Sequence, residues 1–165
     1  MTWYEDSLEA IRAVYGDDTL LYVQCLAATS PMSEVKSNIT LANRAFNAIK
    51  AGRPLVKFIR SHRVNLERIA RGEAICGPKT SAFQSNLLGD TDLITIDRWI
   101  MRWAGHSHIT PTKRQREAIT ARIEREARAA GMSNRNYQAQ IWARERGRSD
   151  SFANHMNYRL ILQEA

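Results

Sequence analysis

Lys79 and Asp97 are the residues whose types, spacing and local setting point to chemistry. Lys79 follows Gly77-Pro78, a turn whose proline pre-sets φ for a first helical residue, so its amine is expected in the opening turn of a helix. Asp97 stands eighteen positions later, after Leu93-Ile94-Thr95-Ile96, which reads as extended or tightly turned, and before Arg98-Trp99-Ile100, where it is placed to cap a helix toward Gly105. An amine at one helix start and a carboxylate at another suffice to attack an electrophilic carbon and to stabilise positive charge developing there. Taken singly, each has an ordinary reading as well: a surface lysine and an N-cap aspartate.

Helices must position such a pair. The 165 residues fit one domain, which buries roughly two-thirds of its unfolded surface. Apolar spacing predicts helices over 4–15 and 19–29, the second mostly apolar and therefore central, and Gly16-Asp17-Asp18 separates them. Ser33 is expected to cap a helix through Ile49, with Gly52-Arg53-Pro54 as its stop. A short basic amphipathic segment is expected from Leu55 to His62, and Asn65 is expected to cap the helix that follows. Gly72 to Lys79 cannot continue that helix, and a new one runs from Thr80 to Leu88, giving helix, tight hairpin, helix over about 64–88. Pro111-Thr112 opens a long helix ended by Gly131, and a last pair spans about 134–146 and 151–163. The fold class is all-α, a single compact helical domain over 1–165.

Composition removes several function classes. Cys25 and Cys76 are too few for a four-thiolate iron–sulfur cluster or a cysteine-rich zinc site, and they suit a reducing compartment. His106-Ser107-His108 has no cysteine or acidic partner nearby, so no metal is expected. Ser30, Ser81 and Ser85 lack the strand-turn-helix setting of a nucleophile elbow, and no glycine loop of nucleotide-binding type is present. The opening residues lack a basic, then apolar, leader, and no apolar run approaches a membrane span, so a cytoplasmic protein without a membrane is expected.

A formal charge of +7 makes a polyanion the default partner. That charge is unevenly placed, with ten basic and two acidic residues over 35–79, none and three over 80–97, and thirteen and six over 98–165. Two basic blocks around an acidic, apolar stretch read as a surface that grips phosphate.

The stretch Ile75-Cys76-Gly77-Pro78-Lys79-Thr80-Ser81-Ala82, followed by Ile96-Asp97-Arg98-Trp99, resembles the helix-hairpin-helix (HhH-GPD) DNA glycosylases, especially the endonuclease III branch. That family's hairpin ends in Gly-x-Lys-Thr-Ala, and a Val-Asp pair follows about eighteen residues later. The resemblance covers about residues 64–105, is looser over 19–50, and does not extend through the basic C-terminal third; Ile75 stands where the family has its first hairpin glycine. The whole-chain pattern also looks like small phage-encoded relatives.

The resemblance implies a DNA glycosylase, alone or with AP lyase activity, that flips a damaged or modified base from double-stranded DNA. Lys79 would be its nucleophile and Asp97 its charge-stabilising carboxylate. The family's C-terminal cysteine cluster is absent, which excludes its iron–sulfur version; no other cofactor is expected, the resemblance allows a monovalent cation at the hairpin, and a monomer is expected. Gly77, Pro78, Thr80 and Ser81 would anchor a DNA phosphate at the hairpin. Arg98, Arg102, His106, Lys113 and Arg114 would meet the backbone elsewhere. Tyr22, Gln24, Thr29 and Ser30 are the pocket candidates, Tyr22 having core packing as its commoner reading, whereas Trp99, Trp103 and Trp142 read as core. Two other readings remain: a non-catalytic DNA-binding phage protein with the same hairpin, and a phage base-modifying transferase with a related pocket.

Overall fold

The computed structural model describes residues 3–147, and within them every regular element is a helix. The helices are α1 (Trp3–Tyr15), α2 (Thr19–Thr29), α3 (Val35–Lys50), α4 (Arg60–Ala70), α5 (Pro78–Leu87), α6 (Arg98–Trp103), α7 (Lys113–Ala129) and α8 (Asn134–Gly147). A 3-10 turn, Gly16–Asp18, joins α1 to α2. None of them is long and apolar enough to cross a membrane. The expected helix over 151–163 lies outside the described residues.

Helix α2 carries no charged side chain, and a helix apolar on all sides belongs in the interior. It packs against α1, α3, α4 and α5 and buries Val23, Cys25, Leu26, Ala27 and Ala28 completely. Helix α3 covers it with the stripe Val35, Ile39, Ala42 and Phe46, spaced at helical intervals. A second, smaller core joins α6, α7 and α8 through Ile96, Ile100, Met101, Ile119, Ile123 and Ile141. There the Arg122 guanidinium lies 3.9 Å from the Trp103 ring centroid and bonds Glu126 at 2.8 Å, while Tyr137 donates to the other Glu126 oxygen at 2.9 Å. Trp103 is therefore packed in this core, as its spacing suggested.

Local geometry departs from the sequence expectations in the α3 to α4 region. Glu34, not Ser33, occupies the cap position of α3, and the Ser33 hydroxyl turns toward the Pro31 carbonyl at 3.4 Å. The segment after Gly52 is not helical until Arg60, because Lys57 takes a left-handed φ of 62° and gives its carbonyl to Arg44 Nη2 at 2.8 Å. Asn65 lies inside α4 rather than capping it, which frees its amide for the hairpin.

The two cores are tied together by a buried polar network. Asn86 on α5 is fully buried; its Nδ2 donates to the carbonyls of Asp90 (3.1 Å) and Leu93 (2.8 Å), and its Oδ1 accepts from Thr95 Oγ1 and Gln138 Nε2, both at 2.8 Å. Gln138 on α8 completes the circuit by accepting the Thr95 N–H at 2.6 Å. Arg135 reaches α1 through Glu5 at 3.1 Å. Buried polar groups left without partners cost far more than the net value of the bond they lose. Asn86→Ala is therefore expected to lower unfolding free energy by about 3 kcal/mol in urea titration.

The buried Cys25 gives a pH signature. Burial pushes its thiol from 9.0 up to about 12, so the unfolded chain loses that proton first. The resulting stability is intact below pH 9.0 and is lost as pH rises toward about 12. Thermal melts across that window should fall less steeply for Cys25→Ala than for the wild-type protein.

Candidate functional site

The connection from α4 to α5 follows from a few side chains. The Asn65 amide clasps the Cys76 backbone in both directions, donating to its carbonyl at 3.0 Å and accepting its N–H at 2.7 Å. Thr80 Oγ1 returns to the same carbonyl at 2.6 Å, and the Ile75 side chain plugs into the larger core. Gly77 caps α5 with φ 98° and ψ 131°, a conformation that L side chains rarely adopt, and a Cβ there would meet Thr80 Oγ1 at 3.1 Å. Pro78 is the first helical residue. No side chain caps this helix, and its first backbone bond is donated by Ser81 N to Gly77 O. The N–H groups of Lys79 and Thr80 thus lie at the positive end of α5 without a helical carbonyl.

Asp97 caps α6. Its Oδ1 accepts from Trp99 N at 2.9 Å and Ile100 N at 3.0 Å, and its Oδ2 accepts from the Trp142 indole N–H at 3.0 Å. Lys79 makes no ion pair with any described residue.

Lys79 and Asp97 line one cavity of about 170 Å³. Its wall is contributed by Trp3 and Tyr4 of α1, Ser30, Met32 and Ser33 of the turn after α2, Phe83 of α5, Trp99 of α6, and Gln138, Ala139, Trp142 and Arg146 of α8. Trp3 and Trp142 meet with centroids 5.5 Å apart and planes at 52°. The Arg146 guanidinium lies 5.0 Å from the Trp142 centroid and 5.7 Å from that of Trp99, and Arg98 lies 4.8 Å from Trp99. Three cationic side chains, Lys79, Arg98 and Arg146, accompany one carboxylate among the lining residues. The space is well below that of sites for drug-sized ligands, and its aromatic wall suits a single flat ring system.

Lys79, Asp97 and Ser30, expected at the site, lie on this wall, as does Arg98, which was expected at the DNA backbone; other expected pocket residues lie elsewhere. Tyr22 is buried in the core, stacked on Tyr15 at 3.7 Å with its hydroxyl on Asn43 Oδ1 at 2.6 Å, because the central helix turns that face toward α3. Gln24 does not reach the cavity, and Thr29 sits behind it, donating to Asn38 Oδ1 at 2.6 Å. Trp142 packs against the larger core as expected but also lines the cavity, and Trp99, expected in the core, is half-buried and lines it too, since helical spacing reports a covered face without saying what covers it. Trp3, Arg146 and Gln138 were missed, because long-range packing alone brings them there.

Pro78 and Ser81 flank Lys79 at the helix start, and Arg102 is exposed on α6, 5.9 Å from the Trp99 centroid. His106 and His108 share Gln115, at 3.4 Å and 3.0 Å. Lys113 and Arg114 are exposed in the first turn of α7, where cations oppose the helix dipole and the Thr112–Gln115 capping box offsets them. Arg98, Arg102, Lys113 and Arg114 make no ion pair with any described residue. Among the described residues, no group of three or more His, Cys, Asp or Glu is arranged to hold a metal ion.

Asn65 tests the hairpin directly. Asn65→Ala should cost about 2 kcal/mol and speed amide hydrogen exchange at Cys76, measured by urea titration and mass spectrometry.

No curated protein and no solved structure matches the chain. The family model of DUF7178, a family of unknown function, matches residues 1–149, a span that takes in every lining residue of the cavity, and the chain belongs to that family.

Proposed function

We propose that the protein is a DNA glycosylase that draws one base of a duplex into the cavity between Lys79 and Asp97 and cleaves its N-glycosidic bond. The observation that carries this reading is the convergence of that amine and that carboxylate on one aromatic-walled space, from the starts of two different helices. Extruded bases are held by stacking on such walls. Phosphates on either side of the base would meet Arg98, Arg102, Lys113 and Arg114, cations whose charge is not neutralised within the described fold. The uncapped N–H groups of Lys79 and Thr80 are apt for another phosphate, contacted without regard to sequence.

In this mechanism the Lys79 nitrogen attacks C1′ of the sugar and gives up a proton as the new C–N bond forms. The electron pair of the glycosidic bond departs with the base, which takes up a proton. Asp97 offsets the positive charge that develops on the sugar during bond cleavage. The resulting N,O-acetal opens its ring to an imine between Lys79 and C1′, with O4′ taking up the proton, and water hydrolyses that imine to free the lysine, either directly or after β-elimination has removed a C2′ proton and expelled the 3′-phosphate. The DNA site is that of a duplex with a damaged or modified base, bound by one copy of the chain.

A second reading draws on the capping bonds of Asp97, which a purely structural carboxylate would also make. There the domain binds DNA without chemistry, and Lys79 is only one of the cations that hold phosphate.

Borohydride separates the two. Duplexes carrying uracil, an oxidised purine, an oxidised pyrimidine or an abasic site are incubated with the protein and the reductant. The glycosylase reading expects a covalent protein–DNA adduct with the wild type, and loss of at least about a hundredfold in trapping for Lys79→Gln. Absence of both base release and adduct from every duplex, with DNA affinity retained and weakened only a few-fold by Lys79→Gln, supports the binding module instead.

A further inference from the structure

Helix α8 grips the segment that presents Asp97 at two points. Gln138 accepts the N–H of Thr95 at 2.6 Å, and one helical turn later Trp142 donates its indole N–H to Asp97 Oδ2 at 3.0 Å. Positions 138 and 142 share one face of the helix, so a single rigid element addresses residues 95 and 97 together. The two capping bonds from Trp99 and Ile100 both fall on Oδ1. They hold that oxygen and leave the plane of the carboxylate to be set by what Oδ2 meets. An indole has one donor and no acceptor, so its bond to an acidic oxygen has one sense. The ring carrying that donor is itself held between Trp3 and the Arg146 guanidinium.

We propose that Trp142 is a positioning residue of the site, whose indole N–H sets the Asp97 carboxylate plane toward C1′ of the nucleotide in the cavity. The proposal rests on the glycosylase reading for its catalytic consequence and on the hydrogen-bond geometry for its physical content. It also gives α8 a defined task. This helix lies beyond the stretch that resembles the glycosylase hairpin, yet it supplies the donor that orients the carboxylate.

Trp142→Phe keeps an aromatic ring in the wall and removes the N–H. The single-turnover rate of base release should fall about tenfold while affinity for the same duplex changes less than about twofold, as for a group that acts on orientation rather than binding. Asp97→Asn retains a good cap and serves as the second background. Adding Trp142→Phe to Asp97→Asn should slow release no further, because the carboxylate to be oriented is already gone. Equal slowing in both backgrounds, or lost affinity with an unchanged rate, would overturn the proposal and leave Trp142 as wall alone.

An independent arm needs no turnover. In the 15N-labelled protein, Asp97→Asn should move the Trp142 indole resonance, assigned by its loss in Trp142→Phe, more than those of Trp3, Trp99 and Trp103. An unmoved Trp142 resonance sinks the contact. If the wild-type protein releases no base, the glycosylase reading falls and takes the catalytic role with it, while the resonance still decides whether Trp142 orients the carboxylate.

Discussion

The amide of Asn86 holds this structure in one piece. One fully buried side chain receives the Thr95 hydroxyl and the Gln138 amide, and it donates to the carbonyls of Asp90 and Leu93. Those contacts fold the loop after α5 back on itself and fix where α8 crosses it. Lys79 rides on the same helix as Asn86, whereas Asp97 lies two residues beyond Thr95. The network therefore ties the helix that carries Lys79 to the segment that carries Asp97 without touching either. A fully satisfied buried network of this kind favours a single arrangement, since any shift leaves a donor or an acceptor stranded.

Around that tie the cavity is assembled from parts distant in sequence. Trp3 near the start and Trp142 near the end of the described residues meet over it, and Arg146 spans two of its aromatic faces. Arginine over indole keeps a cation close to the site while its stem covers apolar surface. The same pairing recurs in the smaller core, where Arg122 lies over Trp103. The result is a lining that combines aromatic rings with three cationic side chains, Lys79, Arg98 and Arg146.

Much of the turn before α5 was legible from local chemistry. Gly77-Pro78 stands at a backbone position that needs φ of 98° followed by a helix start, and both requirements are written into those two residues. Asp97 before Arg98-Trp99-Ile100 is likewise a local cap, and it forms as read. Asn65 was misread for a physical reason: an asparagine at that spacing caps a helix as readily as it staples one, and the choice is made by Cys76, eleven residues away. Tyr22 had both a pocket and a core reading, since a tyrosine on a central helix serves either according to which neighbour covers it, and here Tyr15, Asn43 and Phe46 place it in the core.

Local sequence thus determined the helical class, the turn at Gly77-Pro78 and the two helix starts that carry Lys79 and Asp97, because backbone conformation and capping act over a few residues. Tertiary structure alone decided that Lys79 and Asp97 share a cavity, that Trp99 and Trp142 face it, and that Trp142 bonds Asp97 across forty-five positions. Helical periodicity specifies that a face is covered and says nothing of its partner. That choice is made by packing and by the buried polar partners of Asn86, which satisfy one another in only one arrangement of the chain.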